Sequence, residues 1–243
     1  MSAEHSTVFQ LIGVPHHLNH IAGAVTAGVI LTAIGLRVRS QLSNVDKHIL
    51  PEPKMNFLNC CVALVGAFKN LIDSMIGHGA EKFIPIIATT FLFILFSNFL
   101  GLVPGFVPPT DNINTNFAMG LSIFLYYQYL GFKEHGIFYL KQFTGGLPPK
   151  GYSFGITAIL SLVAALMFAI EVIGHLIRPL SLSLRLWGNI NGDHTLVGVF
   201  NGIAPLFVPI LFMVLGVFVC VVQAFVFSLL STAYIKLAVS HDH

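Results

Sequence analysis

Residues 205–238 read PLFVPILFMVLGVFVCVVQAFVFSLLSTAYIKLA, and Lys236 is the only charged side chain among them. As an α-helix, this stretch would be about 50 Å long at 1.5 Å per residue. The hydrocarbon core of a bilayer is only about 30 Å thick. An apolar helix of this length stays within the hydrocarbon if it is strongly tilted. The stretch therefore predicts a membrane helix that crosses the bilayer obliquely.

The composition of the whole chain is also that of a membrane protein. Of the 243 residues, 55% are hydrophobic and 9% are charged, whereas soluble domains carry roughly 25% charged residues. The mean hydropathy is +0.82. A net charge of +2 is too small to indicate nucleic-acid binding. Three cysteines are too few for a disulfide framework. The composition therefore argues against an ordinary soluble enzyme.

The predicted fold class is an all-α, polytopic integral membrane protein with five or six membrane helices. Apolar windows place spans at 20–36, 83–103, 113–132 and 154–177, followed by a hydrophobic stretch at 179–200 and the last helix at 203–238. The stretch 179–200 carries too many polar residues to face lipid on all sides. We expect it to pair with the last helix as a long tilted hairpin that faces something other than lipid on one side.

Residues 55–80 are expected to behave differently. Their apolar residues recur every three or four positions, as on one face of a helix, but Lys69, Asn70 and Asp73 interrupt a spanning segment. They predict an amphipathic helix along the inner membrane surface, and a short, poorly packed span is the alternative. The chain is then one membrane domain, 1–243. It comprises 1–54 (tail, first span and cytoplasmic linker), 55–80 (surface helix), 83–132 (second and third helices) and 154–238 (fourth helix and hairpin).

Basic residues predict the orientation, because Lys and Arg concentrate in cytoplasmic loops. Residues 1–36 and 104–112 contain none, whereas 37–82 contain six and 133–153 contain three. This alternation predicts a periplasmic N-terminus. One further crossing then leaves the C-terminus, near Lys236, in the cytoplasm.

Arg185 lies well inside an apolar flank. An arginine at the bilayer centre costs roughly 3 kcal/mol on insertion scales, and its guanidinium stays protonated. It therefore needs a partner carboxylate, a water cavity or another protein. A snorkelling arginine at the interface is the alternative.

Stripes of polar side chains accompany Arg185. Ser181, Arg185, Asn189 and Asp193 follow one another at four-residue spacing, which places them on one face of a helix. The other polar residues of interest are His194, the preceding stripe Glu171, His175 and Arg178, and Gln223 on the last helix. Because Asp, Glu and His can pass protons and Arg cannot, the pattern indicates a proton path interrupted by an arginine. Static interhelical pairs are the alternative.

Four segments together resemble one family. Residues 179–189, PLSLSLRLWGN, closely resemble the signature of subunit a of the F-type ATP synthase, the membrane stator of its Fo motor. Residues 97–105, SNFLGLVPG, and 223–227, QAFVF, resemble two further family motifs. Glu171 and Arg178 stand where the family has an acid and a base. The resemblance covers roughly 83–238.

The resemblance implies a proton-translocating subunit of the bacterial inner membrane, with no active site of its own and no cofactor. The implied partners are the c-subunit ring, b-type peripheral-stalk subunits, the remainder of the F1Fo complex and membrane lipid, with no nucleic acid. The tilted hairpin would lie against the ring, and Arg185 would face the ion-binding carboxylate of a c subunit. Two offset aqueous half-channels would reach that interface from opposite sides, and Arg185 would separate them.

Roles for the other residues follow from the same resemblance. Glu171, His175, Asp193 and His194 would line the outer access path, Asn189 and Gln223 would lie near Arg185, and Ser181 and Ser183 would add polar lining. One position departs from the family, because Gly216 stands where an acid or a histidine is common. We expect Asp193 to supply the missing group from the facing helix.

Two other classes of function remain to be distinguished. An independent ion-coupled secondary transporter would have internal repeats and a broken-helix site, and a structural anchor would tolerate loss of Arg185. The roles of four residues stay open between caps and turns of the outer loop and the lining of an access path. They are Asn98, Asp111, Asn112 and Asn116.

Overall fold

The computed structural model describes residues 8–11, 13–42, 57–77, 80–103, 105–136, 139, 154–201 and 207–239. The regular structure in these ranges is entirely helical, which confirms the all-α class. The helices are α1 (Val8–Leu11), α2 (Asn19–Leu42), α3 (Phe57–Ile76), α4 (Ile84–Leu102), α5 (Ile113–His135), α6 (Phe154–Asn201) and α7 (Phe207–Val239). Single 3₁₀ turns lie at His16–Leu18, Ala80–Lys82 and Pro109–Asp111.

Five of the described helices, α2, α3, α4, α6 and α7, are long and apolar enough to cross a membrane. This number agrees with the predicted five or six. Helix α5, which we predicted as the third span, is not among the five because polar residues such as Asn116 and Gln128 lower its hydropathy. Helix α3 does meet the criterion, so its place on the membrane surface stays a prediction.

Helix α6 corrects one predicted boundary. The stretches 154–177 and 179–200 form one continuous helix of 48 residues, with Pro179 inside it. Proline has no N–H, so the carbonyl of His175 loses its usual helical partner, and a kink is the common result. Membrane helices tolerate such a proline where neighbouring groups compensate for the lost bond. Each half of α6 is about 35 Å long, which is enough to cross a bilayer.

Helices α6 and α7 pair as an antiparallel hairpin with a constant register. The guanidinium carbon of Arg178 lies 5.4 Å from the ring centre of Tyr234. Eleven residues further along α6, and eleven back along α7, Asn189 donates to Gln223 at 2.6 Å. After another eleven in each direction, the rings of Phe200 and Phe212 stack with centres 5.3 Å apart. The predicted hairpin is thus held together over most of its length.

Helix α5 packs antiparallel to α6 on the other side. Ser183 donates to the backbone of Asn116, while the hydroxyl of Tyr127 lies 3.4 Å from His175. Between these two contacts, Gly120 allows the helices to touch. A Cβ atom at Gly120 would lie 2.8 Å from the carbonyl oxygen of Pro179.

A continuous apolar core joins α4, α5, α6 and α7, and α3 docks onto one end of it. Phe68 and Ile72 of α3 are buried in the same cluster as Ile235 and Ala238 of α7. The ring of Phe68 also lies 4.7 Å from that of Phe91 in α4. At the opposite end, His20 of α2 approaches Asn112, just before α5.

The docking of α3 can be tested at Phe68. We expect Phe68→Ala to loosen α3, because truncating a buried phenylalanine costs roughly 3–5 kcal/mol in soluble cores. The measurement is the rate of tryptic cleavage at Lys69 in the detergent-purified complex, together with the amount of the chain in membranes. Val65→Ala is the control, because Val65 lies on the same helix with 48% of its surface exposed. Equal cleavage rates in the two variants would contradict the proposed docking.

Candidate functional site

Arg185 points out of the bundle. The buried residues Leu182 and Leu186 mark the core-facing side of this part of α6, whereas Arg185 and its neighbour Leu184 are exposed. In the part of the chain that the structure describes, Arg185 makes neither a hydrogen bond nor an ion pair. The side chain therefore carries its charge on an apolar outer face without a partner from its own described chain.

One turn beyond Arg185, the amide pair Asn189–Gln223 joins the two hairpin helices. Asn189 donates its Nδ2 hydrogen to Oε1 of Gln223 at 2.6 Å. Gln223 is only 5% exposed, and its Nε2 has no partner among the described residues. A buried donor without a partner is costly and is commonly satisfied by water. The pair is therefore a buried polar contact between the two helices of the hairpin.

Asp193 continues this side of the hairpin by one more turn and is half-buried, opposite Val219 in the hairpin register. The side chain of His194 lies outside the described residues. Ser181, one turn before Arg185, is exposed on the same outer face. Gly216 turns toward α4, where a Cβ atom would lie 3.0 Å from Leu102. A side chain at position 216 would therefore meet α4.

A second polar cluster lies on the other side of Arg185 and is built on Glu171, His175 and Arg178. Arg178 donates to Oε1 of Glu171 at 3.4 Å, and Nε2 of His175 lies 3.3 Å from the same oxygen. The guanidinium of Arg178 also covers the ring of Tyr234. Unlike Arg185, this arginine is thus neutralised and packed within the chain.

Tyrosine and glutamine side chains complete this cluster, and no pattern in the sequence pointed to them. Nδ1 of His175 lies 3.4 Å from the hydroxyl of Tyr127 and 3.3 Å from Nε2 of Gln128. Tyr139 donates to Oε1 of Gln128 at 2.8 Å. The rings of Tyr127, Tyr139 and Tyr234 also line a small cavity of about 10 Å³ beside His175 and Arg178. This is room for about one water molecule.

The structure does not bring Glu171 and His175 together with Asp193, although we expected these residues and His194 along one outer path. His175 and Asp193 lie 18 residues apart on one continuous helix, or about 27 Å along its axis. The first cluster faces Tyr234, close to the C-terminal end of α7. Asp193 lies toward the opposite end of the hairpin. Arg185 stands between the two clusters.

Ser183 and the asparagines near α5 belong to a buried network. Ser183 is 2% exposed and donates to the carbonyl oxygens of Pro179 and Asn116. Asn116 donates to the carbonyl of Thr110, and Thr110 donates to Asn98. Asn112 caps α5 by accepting from the backbone N–H of residue 114. The structure therefore ties Asn98 and Asn116 into the packing of α4, α5 and α6 and makes Asn112 a cap.

Comparison with known proteins agrees with this architecture. Residues 21–236 match the family described as ATP synthase A chain. The ATP synthase subunit a of Bdellovibrio bacteriovorus is 41% identical over 232 residues, which cover 95% of this chain and 96% of that protein. The ATP synthase subunit a of Geobacter sulfurreducens is 38% identical over 229 residues, with 94% and 93% covered. That of Trichlorobacter lovleyi is 40% identical over 230 residues, with 93% of each covered.

Fold and site together define a multi-pass helical membrane protein with an unpaired arginine on the outer face of a long hairpin. The match over most of the chain identifies it further: the chain belongs to the ATP synthase subunit a family.

The amide pair predicts a non-additive result. We expect Asn189→Ala and Gln223→Ala each to lower ATP-driven proton pumping by roughly five-fold, the factor for one hydrogen bond of about 1 kcal/mol. The double variant should pump only slightly more slowly than the less active of the two single variants, because the two side chains act as a unit. Asn191→Ala is the control, since Asn191 bonds only to the backbone of its own helix at Trp187. Losses that multiply in the double variant would show that the two amides act independently.

Proposed function

We propose that this chain is the proton-translocating stator subunit of the Fo sector, and that it couples proton flow to rotation of a ring of c subunits. The observation that carries the proposal is Arg185, a permanent charge exposed on an apolar hairpin face without a partner among the described residues. Large apolar side chains surround it on both helices of the hairpin. The exposed ones on this hairpin include Leu180, Leu184 and Trp187 of α6 and Val221, Val222 and Phe225 of α7.

A carboxylate on the passing c subunit is the partner that this arrangement requires. A charge-assisted pair between a guanidinium and a carboxylate is strong, and a nearby cation favours the ionised form of the acid. A c-subunit carboxylate that reaches Arg185 would therefore have to release its proton first. The same charge would keep protons from passing directly between the two sides.

The two polar clusters are the proposed half-channels. On one side of Arg185, Glu171 and His175, with the surrounding tyrosines, offer a chain of hydrogen-bonding groups near the C-terminal end of α7. On the other side, Asn189, Gln223 and Asp193 lead toward the C-terminal end of α6 and the N-terminal end of α7, and His194 follows Asp193 in the sequence. Because the clusters are offset along α6, a proton would have to ride the ring to pass from one to the other.

The distribution of basic residues supports a periplasmic N-terminus and a cytoplasmic C-terminus. The contact between His20 and Asn112 brings the start of α2 beside the turn before α5, and neither 1–36 nor 104–112 contains Lys or Arg. At the other end, Lys69 pairs with Glu81, and α3 packs against the end of α7. If α3 crossed the membrane, residues 104–112, which contain no Lys or Arg, would lie in the cytoplasm, and the basic residues of 133–153 would lie outside. This arrangement is the opposite of the positive-inside rule, which supports a surface position for α3.

Membership of the family places the chain in the F1Fo complex. We assign the outer face of the hairpin to the c-ring and the exposed apolar side of α2 to b-type peripheral-stalk subunits. Val25, Val29 and Leu36 lie on that side, each about half or more exposed. The proposed location is the bacterial inner membrane, consistent with the bacterial relatives.

The central test concerns Arg185 in inverted vesicles that hold the whole complex. We expect Arg185→Ala and Arg185→Lys to assemble and to lose ATP-driven proton pumping, because neither keeps the fork of guanidinium donors. Arg185→Ala should in addition leak protons passively, because the barrier charge is gone. Arg39→Ala, at the exposed end of α2, is the control. Normal pumping by both Arg185 variants would overturn the mechanism and favour a protein with a purely structural role in the membrane.

Asp193 and His194 test the proposed outer half-channel. We expect Asp193→Ala to reduce ATP-driven pumping roughly ten-fold or more, since positioned proton-transfer groups contribute factors of about 10² to 10⁴. His194→Ala should cost less, because Asp193 shares one helix face with Arg185 and Asn189, whereas position 194 lies about 100° further round the helix. The measurement is the initial pumping rate divided by the amount of assembled complex. Equal, mild losses in both variants would count against a proton-transfer role for Asp193.

A further inference from the structure

A line of buried hydrogen bonds runs across three helices and ends beside Arg185. Thr110, in the turn before α5, donates to Asn98 of α4 at 2.8 Å. Asn116 of α5 donates to the carbonyl of Thr110 at 2.7 Å. Ser183 of α6 then donates to the carbonyl of Asn116 at 3.0 Å. All four side chains are at most 2% exposed, and Ser183 precedes Arg185 by two residues.

Helices α5 and α6 touch most closely at the same place. A Cβ atom at Gly120 would lie 2.6 Å from Oγ of Ser183 and 2.8 Å from the carbonyl oxygen of Pro179. Only glycine fits such an approach. Pro179 is also where α6 lacks a backbone hydrogen bond and is least able to hold its own direction. The contact with α5 therefore falls on the point of α6 that most needs support.

The hydroxyl of Ser183 is committed to this contact. It has one hydrogen, and two carbonyl oxygens accept it, that of Pro179 at 2.7 Å and that of Asn116 at 3.0 Å. A buried hydroxyl held by two backbone acceptors is poorly placed to relay protons. Ser183 therefore differs from the exposed Ser181, and the polar lining that we expected of it gives way to a role in packing.

Arg185 depends on such support because no hydrogen bond or ion pair with the described residues holds its head group. The position of its guanidinium is set by the rotation and height of α6 alone. We propose that Asn116, Gly120 and Ser183 form an anchor that fixes α6 against α5 and so positions Arg185 for the passing carboxylate. The inference rests on the proposed function and makes these three positioning residues.

The test uses Ser183→Ala in inverted vesicles that hold the whole complex. The matched control is Ser228→Ala, because Ser228 is equally buried and bonds only to the carbonyl of Ala224 in its own helix. Three quantities are measured: the amount of assembled complex, protons pumped per ATP hydrolysed, and the passive proton leak. A purely structural role would change the first quantity and leave the pumping ratio intact.

We expect Ser183→Ala to lower the pumping ratio by about five-fold, the factor for one lost hydrogen bond, and to increase the leak. Ser228→Ala should match the wild type in both. Gly120→Ala is a second, independent variant, and its added methyl group should have the same effect by pushing α6 away. Gly66→Ala in α3, where an added Cβ meets nothing within 4 Å, controls for the change of residue type.

Two outcomes would overturn the proposed anchor. One is a wild-type pumping ratio in both Ser183→Ala and Gly120→Ala. The other is a loss of pumping that a smaller amount of assembled complex explains entirely. Arg185→Ala, measured in the same preparation, separates this failure from failure of the proposed function. If Arg185→Ala abolishes pumping while the anchor variants behave normally, only the anchor is wrong. If Arg185→Ala also pumps normally, the proposed function itself is wrong.

Discussion

The structure is organised around a permanent positive charge that the described chain itself does not neutralise. An arginine at membrane depth costs several kcal/mol unless it is paired or hydrated, and it cannot shed its proton. Arg185 lies on the outer face of the hairpin, with buried leucines behind it and exposed apolar residues beside it. The partner must therefore come from outside this part of the chain. In the proposed function, this partner is another protein that brings an acid to the apolar surface around Arg185.

The remaining helices hold this surface in a fixed shape. Helices α6 and α7 keep one register over three contacts spaced eleven residues apart, so the hairpin behaves as one unit. Helix α5 supports α6 where Pro179 weakens it, and α4 packs along α7. Helix geometry then places the two polar clusters on opposite sides of Arg185, because His175 and Asp193 are 18 positions apart on one helix, or about 27 Å along its axis.

Much of this arrangement was predictable from local pattern. The apolar length of the last helix and the four-residue spacing around Arg185 depend on one segment only, and both were read correctly. The sequence analysis separated 154–177 from 179–200, whereas α6 continues through Pro179, as membrane helices can where neighbouring groups compensate for the lost bond. The partners of His175 were not predictable, because Tyr127 and Tyr234 reach it through the register between helices. For the same reason, the separation of Glu171 from Asp193 was not anticipated.

Two arginines on the same helix differ in whether their charge is compensated within the described chain. Arg178 and Arg185 lie seven residues apart, which places them on nearly the same side of α6. Arg178 contacts Glu171, His175 and the ring of Tyr234, so its charge is compensated inside the protein and contributes to packing. Arg185 has no such contact among the described residues. A carboxylate within reach of Arg185 would form a static pair, as Glu171 does with Arg178, and would compete with any acid arriving on a partner. In the proposed function, the absence of a described acid beside Arg185 leaves the charge available for the transient pair that a step in a rotary cycle requires.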